Sequence, residues 1–285
     1  MTDTLFPAGL SDVADKYDTI FCDVWGVIHN GRKAFGSACD ALVKFREDGK
    51  RVVLITNAPV PKAQVIHYFD RLGVPEAAFD DCASSGDATR NILKARSDEK
   101  IWRLGADEGW EHDRFLYEGL DLTFTEPEDA SILLCIGLRD QGKDHPDDYR
   151  EELGLAVASK LEMICANPDK QVRIGGELYW CAGALAEIYE EQGGSVVYPG
   201  KPHAAIYDLA REKTAALGGV TDPARCLCIG DSPTTDIRGA NHQAMDSVYV
   251  GTGLKDEFEN FEGEVRALFA EHAVNATYAM PGLKW

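Results

Sequence analysis

The chain has no run approaching the roughly 20 apolar residues that a membrane-spanning helix needs, and Met1 to Leu10 has neither the basic nor the apolar segment of an export signal. A cytoplasmic protein with no membrane partner is expected. Basic residues are scarce, with Lys and Arg totalling 29 against 48 Asp and Glu, for a formal net charge of −19. That balance argues against nucleic acid as a partner, because contacts to a phosphate backbone need clustered cations. Any anionic ligand has to be small and met by local charge. The eight cysteines include no C-x-x-C pair, so the usual spacing of a zinc site or a disulfide framework is missing. Buried, reduced thiols are expected instead. No G-x-G-x-x-G follows the first apolar run, which disfavours a dinucleotide-dependent oxidoreductase. Repeats and low-complexity tracts are absent, and Trp102, Trp110 and Trp180 lack the pattern of a base-stacking platform.

What is present suits an α/β protein. With 285 residues, 45% of them hydrophobic, the chain can build one large domain or two smaller ones. Strand-like and helix-like stretches alternate, the pattern of a doubly wound parallel sheet with helices on both faces. The strands expected to form that sheet are Thr19 to Asp23, Arg51 to Thr56, Ser195 to Tyr198, Cys226 to Gly230 and Ser247 to Val250. Ala38, Leu42, Val43 and Phe45 form a helical stripe that stops at Gly49, completing a βαβ unit. Further helices are expected from Pro61 to Gly73 and from Ala204 to Leu217. The stretch from 84 to 194 has strands of its own (Ile101 to Leu104, Ile132 to Gly137, Met163 to Ala166) and helices near Tyr149 to Lys160 and Ala182 to Glu191. It reads as an inserted, smaller α/β domain. Residues 1–83 and 195–285 then form a discontinuous core, and the acidic run Lys255 to Glu264 reads as a solvated helix face.

Ligands of open parallel sheets bind beyond the carboxyl ends of the strands. Four candidate groups fall there. Asp23 ends the run Thr19-Ile20-Phe21-Cys22. Thr56-Asn57 offers a hydroxyl and an amide that can both donate to a phosphoryl oxyanion, and Gly200-Lys201-Pro202 offers an ammonium after a strand and a turn. Gly230-Asp231-Ser232-Pro233-Thr234-Thr235-Asp236 offers two carboxylates about one turn apart. Phosphoryl transfer to a carboxylate needs such parts, because a nucleophile approaching a phosphate dianion must have charge neutralised around it. Asp23 and Asp231 are hard oxygen donors suited to Mg²⁺, and Thr56 and Lys201 can hold phosphoryl oxygens.

These motifs, in this order and spacing, resemble those of the haloacid dehalogenase (HAD) superfamily of aspartate-nucleophile phosphatases, in its class IIA branch. The motifs are Phe21-Cys22-Asp23-Val24-Trp25-Gly26, Leu54-Ile55-Thr56-Asn57, Gly200-Lys201-Pro202-His203, and Gly230-Asp231-Ser232 through Thr235-Asp236-Ile237. The resemblance implies an aspartyl-phosphate on Asp23. It implies Mg²⁺ held by Asp23, the backbone oxygen of Trp25 and Asp231, with Asp236 acting through water or in an outer position. It also implies that residues 84 to 194 are a cap that selects the substrate, a small phosphorylated metabolite, and closes to exclude water. Cys165-Ala166-Asn167-Pro168-Asp169, Gly175-Gly176 and Gly183 look like part of such a cap. Asp169 is a candidate substrate contact and reads equally well as an Asx-type turn around Pro168. Asp236 has an alternative reading as a helix N-cap, and His29, Asn30 and His203 as ordinary loop residues. A homo-oligomer is compatible with everything in the sequence.

One position departs from the pattern. Most phosphatases of this kind carry an Asp, the general acid and base, where this chain has Trp25. Indole cannot exchange the proton, although any residue supplies the backbone carbonyl. Three readings remain open: an enzyme that is slow or prefers acidic leaving groups, one in which Asp169, His29 or Glu177 moves the proton, and a weak or inactive phosphometabolite-binding protein.

Overall fold

Residues 3–106, 112–174, 177–253 and 258–285 are described by the structure, a computed structural model. Their strands are β1 (Thr19–Cys22), β2 (Arg51–Thr56), β3 (Asp81–Ser84), β4 (Lys100–Leu104), β5 (Thr123–Phe124), β6 (Ile132–Cys135), β7 (Glu162–Cys165), β8 (Gln171–Ile174), β9 (Glu177–Trp180), β10 (Ser195–Val197), β11 (Cys226–Gly230), β12 (Asp246–Val250) and β13 (Tyr278–Met280). The chain divides into two units. One comprises Met1–Thr56, Ile66–Ala83 and Lys201–Trp285, and the other Asn57–Val65 and Ser84–Gly200.

The first unit is built on a six-stranded sheet in the order β13-β12-β11-β1-β2-β3, with parallel pairing from β13 through to β2. Every residue of β1 and β11 is buried, which is why both read as unbroken apolar runs: a strand covered on both faces has no polar alternation. Helix Ala204–Ala216 packs Ile206, Tyr207 and Ala210 against Phe21, Val53, Ile55 and Cys228. Helix Gly36–Glu47 buries Ala38, Leu42 and Phe45, and helix Phe261–His272 packs Val265 and Phe269 against Tyr249. The doubly wound α/β core expected from the alternating pattern is present.

The second unit has its own five-stranded sheet, β10-β7-β6-β4-β5, parallel at each pairing, and an antiparallel hairpin of β8 and β9. Alternate residues of the central strands feed two cores. Leu133, Cys135, Met163 and Cys165 pack with helices Arg150–Ala158 and Ala182–Glu191, whereas Ile132, Leu134 and Ile164 pack with Leu93 of helix Ser85–Ala95. All eight cysteines are buried and free.

The structure corrects the expectation for one strand. Pattern assigns the segment Ser195 to Tyr198 to the sheet of the chain ends, but Ser195–Val197 pairs with β7 in the second sheet. Pattern gives a strand's existence and not its partner. The chain consequently passes from one unit to the other at Gly200 and Lys201. The acidic run Lys255 to Glu264 is not one helix face, because the helix begins at Phe261, after Asn260 accepts the Gly263 N–H as its cap; residues 254–257 lie outside the described residues. Trp110 and Gly175-Gly176 also lie outside them. Among the described residues no helix is long and apolar enough to cross a membrane.

Candidate active site

Strand register places the first three groups. Cys22, the last residue of β1, pairs with Leu54 of β2 and Ile229 of β11. Asp23 is the first residue past that level, and its N–H still bonds the Ile229 carbonyl at 2.8 Å. Thr56 and Asp231 are the second residues past it on the flanking strands. One sheet edge therefore presents Asp23, Thr56 and Asp231 side by side. Asp23 is 5% exposed and Thr56 6%, burial that an unpartnered carboxylate could not sustain.

Two glycines make the arrangement possible. Gly26 has φ +85, and a Cβ there would lie 2.0 Å from Oδ2 of Asp231. Both the left-handed backbone and the missing side chain are required for the loop after Asp23 to lie against that carboxylate. A Cβ on Gly230 would lie 2.1 Å from Cγ of Asp236, so that position also needs glycine. The segment after β11 begins a π-helical turn, Pro233–Ile237, capped by Ser232, whose Oγ accepts from the Thr235 N–H. Asp236 is thus not the N-cap. Its Oδ2 accepts from the Ser232 N–H at 3.1 Å, and the residue is 4% exposed.

Lys201 joins these groups from a direction that the strand pattern did not give. It lies in the turn before helix Ala204–Ala216 and is 3% exposed. Its ammonium donates to Asp23 Oδ1 at 2.5 Å and to Asp236 Oδ1 at 2.7 Å. Burial by itself would lower the Lys201 pKa, but these two carboxylates hold it well above the ordinary lysine value. Burial drives the Asp23 carboxyl up, Lys201 pulls it back and Asp236 raises it again, leaving it at about 7. Asp23, Asp231 and Asp236 each offer an oxygen within 4.8 Å of the others. The Lys201 ammonium offsets only part of the charge of three carboxylates, so a divalent cation with a preference for hard oxygen donors is the charge that such a set can accommodate. The donor set fits Mg²⁺.

The Trp25 indole belongs to a packed loop. Its ring stands edge-on to the His29 imidazole with centroids 5.2 Å apart, and a Cβ on Gly31 (φ +80) would lie 2.4 Å from its Cη2. His29 in turn contacts the Phe69 ring at 6.0 Å. Its Nδ1 accepts the Gly31 N–H at 3.1 Å, so the neutral tautomer carries its proton on Nε2. Burial lowers the His29 pKa to about 4. The imidazole is a neutral packing element near pH 7. Asn30 closes an Asx turn by accepting from the Arg32 and Lys33 N–H groups, both at 3.1 Å. His203 is exposed at the start of helix Ala204–Ala216.

Asn57 and Asp169 meet in the second unit. The Asn57 amide donates to Asp169 Oδ1 at 2.9 Å, while Asn167 Oδ1 accepts from the Asp169 N–H at 3.0 Å. The Asx turn around Pro168 is formed, and Gly183 packs on it because a Cβ there would lie 2.2 Å from the Pro168 carbonyl oxygen. Glu177 is exposed and accepts from the Tyr179 hydroxyl at 2.9 Å. Two further residues shape the site: Gly26, and Thr252, whose hydroxyl donates to the Gly26 carbonyl at 2.5 Å. A glycine soon after a candidate nucleophile was a usable signal; nothing in the local sequence marks Thr252.

Two family models match the chain, one described as haloacid dehalogenase-like hydrolase over residues 20–114 and one as HAD-hydrolase-like over 198–272. A solved hydrolase of the haloacid dehalogenase-like family from Brucella suis 1330 is 36% identical, with 98% of this chain and 100% of that one covered and a TM-score of 0.84. The 5'-nucleotidase YutF of Bacillus subtilis is 26% identical, with 84% of this chain and 88% of that protein covered. The D-glycerol 3-phosphate phosphatase of Mycobacterium tuberculosis is 24% identical, with 94% and 70% covered. With Asp23, Lys201, Asp231 and Asp236 gathered at one sheet edge, and with a relative this similar over its whole length, the chain belongs to the haloacid dehalogenase-like hydrolases.

Proposed function

We propose that the protein is a Mg²⁺-dependent phosphatase of small phosphorylated metabolites, working through an aspartyl-phosphate on Asp23 and suited to acidic leaving groups. The observation that carries this reading is the Asp23-Lys201-Asp236 ion cluster beside Asp231. Relatives named for hydrolysing a nucleotide and a glycerol phosphate support the substrate class.

In this reading Lys201 fixes one oxygen of Asp23 and leaves the other to approach phosphorus. Mg²⁺ would be held by Asp23, Asp231 and the Trp25 carbonyl, with Asp236 acting through water or from the outer shell. Bound there, it would offset phosphoryl charge and favour the ionised form of Asp23. A new bond forms between the second Asp23 oxygen and phosphorus as the ester P–O bond breaks and the leaving group departs as an alkoxide or phenoxide. Thr56 and Lys201 hold phosphoryl oxygens during the transfer. Water then attacks phosphorus, releasing inorganic phosphate and regenerating the carboxylate. The second unit serves as the substrate-selecting cap, and the site of action is the cytoplasm.

Trp25 sets the preference among substrates. Without a proton donor there, an alkoxide leaves unprotonated, at a cost of about 10²- to 10⁴-fold. An aryl phosphate or an anhydride, with a more stable leaving anion, loses less. A phosphate-release screen over a metabolite panel and aryl phosphates, with and without Mg²⁺ and beside Asp23→Asn, tests the proposal. Mg²⁺-dependent release that chelator and Asp23→Asn both abolish is expected. The same Trp25 favours a second reading, a binding protein on this scaffold, and panel ligands that bind without turnover would select it.

A further inference from the structure

The loop between Asp23 and His29 is fixed from one side by its own turn and from the other by a residue far along the chain. The Gly26 N–H donates to the His29 carbonyl at 2.8 Å. Because the peptide between Trp25 and Gly26 is planar and trans, this bond also sets the direction of the Trp25 carbonyl, which points the opposite way. The next peptide is held by Thr252, just past the carboxyl end of β12, whose Oγ1 donates to the Gly26 carbonyl at 2.5 Å. Between these two restrained planes lies the Gly26 α-carbon, at φ +85 and too close to Asp231 for a side chain. A rotation at Gly26 would therefore turn the Trp25 carbonyl and press on the Asp231 carboxylate together.

We propose that Thr252 is a positioning residue for the cation site: by holding the Gly26 carbonyl it keeps the Trp25 carbonyl and Asp231 in one ligating arrangement. This rests on the reading of that site as a Mg²⁺ site. Thr252 touches neither substrate nor cation in this role, and acts through the loop. Partners one step removed from a metal's ligands typically alter affinity 10- to 100-fold.

The test is isothermal titration of Mg²⁺ into the whole protein and its Thr252→Val, Thr252→Ser and Asp231→Asn variants, with melting curves recorded without metal. Valine keeps the shape and removes the donor; serine keeps the donor. Thr252→Val is expected to raise the Mg²⁺ Kd about 10-fold, Thr252→Ser to restore it to within about 3-fold, and Asp231→Asn to abolish binding. In turnover assays Thr252→Val should need more Mg²⁺ for half-maximal rate and reach a near-normal rate at saturation. Tight binding in the wild type, lost in Asp231→Asn and unchanged in Thr252→Val, overturns the role of Thr252 and leaves the cation site standing. Should Thr252→Val unfold, the serine variant decides: a Kd raised about 10-fold in a folded Thr252→Ser refutes the donor role. A wild type that binds no Mg²⁺ refutes the cation site, and the inference with it.

Discussion

Replacing Lys201 with methionine would remove the ammonium that lies between two buried carboxylates. It donates to Asp23 at 2.5 Å and to Asp236 at 2.7 Å, and it is 3% exposed. At an effective dielectric near 20, each contact is worth about 6 kcal/mol of gross attraction. Most of that offsets desolvation, and breaking a buried pair from one side typically costs about 3–5 kcal/mol. The loss should depend on pH in a definite direction. The folded pKa of Asp23 is raised to about 7 from the ordinary value of 3.8, so between those values the folded state binds more protons than the unfolded one. Its ionised form becomes a burden as pH rises through that window. Lys201 relieves this burden only where Asp23 is ionised. Urea unfolding of metal-free wild type and Lys201→Met should therefore differ by about 3–5 kcal/mol at pH 8 and by clearly less at pH 5.5, where Asp23 is protonated. Equal losses at the two pH values would show that Lys201 acts by packing rather than charge.

Gly26→Ala should fold with a loss of about 1–2 kcal/mol from its left-handed backbone and weaken Mg²⁺ binding by at least about 10-fold, because the new methyl group displaces the Asp231 carboxylate; calorimetry measures this, and unchanged affinity would refute the close approach. His29 is buried neutral with its pKa lowered from 6.5 to about 4, so its contribution is complete above pH 6.5 and lost as pH falls toward 4, by roughly 3 kcal/mol in all. Stability curves of wild type and His29→Asn should converge on acidification, and parallel curves would rule this contribution out. Trp25→Asp should raise alkyl-phosphate turnover if proton transfer limits it, by less than the about 10²- to 10⁴-fold that an unpaired general acid supplies, while costing roughly 1–3 kcal/mol of stability; the rate ratio of alkyl to aryl substrates reads the first effect apart from the second.

The core was legible because β1, β2 and β11 are buried on both faces and carry uninterrupted apolar runs that end at chemically distinctive residues. Asp23, Asp231 and Asp236 could be found that way, since each lies within a few residues of a strand end. Lys201 could be named from its motif but not placed, because the strand before it belongs to the other sheet. Strand pairing depends on the twist and edges of a finished sheet, which a local pattern does not carry. Thr252 was invisible for a related reason, since it meets Gly26 across 226 residues of chain. The role of Asn57 was visible only as chemistry: an amide after Thr56 suits an oxyanion, yet in the fold it donates to Asp169.

Trp25 is built into its loop rather than merely substituted into the motif. The indole touches His29, and Gly31 lacks a side chain where one would strike the indole. The His29 ring, buried and held neutral, is covered by that indole on one side and met by Phe69 on another. A Trp25→Asp change made alone would leave part of the imidazole uncovered and open space beside Gly31. It would also bring a carboxylate toward a histidine whose lowered pKa depends on its burial. The two groups would then pair, His29 would gain a proton, and the new carboxyl group would have given its proton to the imidazole instead of the leaving group. Single replacement should thus give less than the full catalytic gain. Trp25→Asp combined with His29→Phe, which supplies an apolar ring without a titrating partner, should give more than the two single effects combined. Additive rates for alkyl phosphates across this double-mutant cycle would show that indole and imidazole act independently, and that the missing proton donor is the whole of what Trp25 changes.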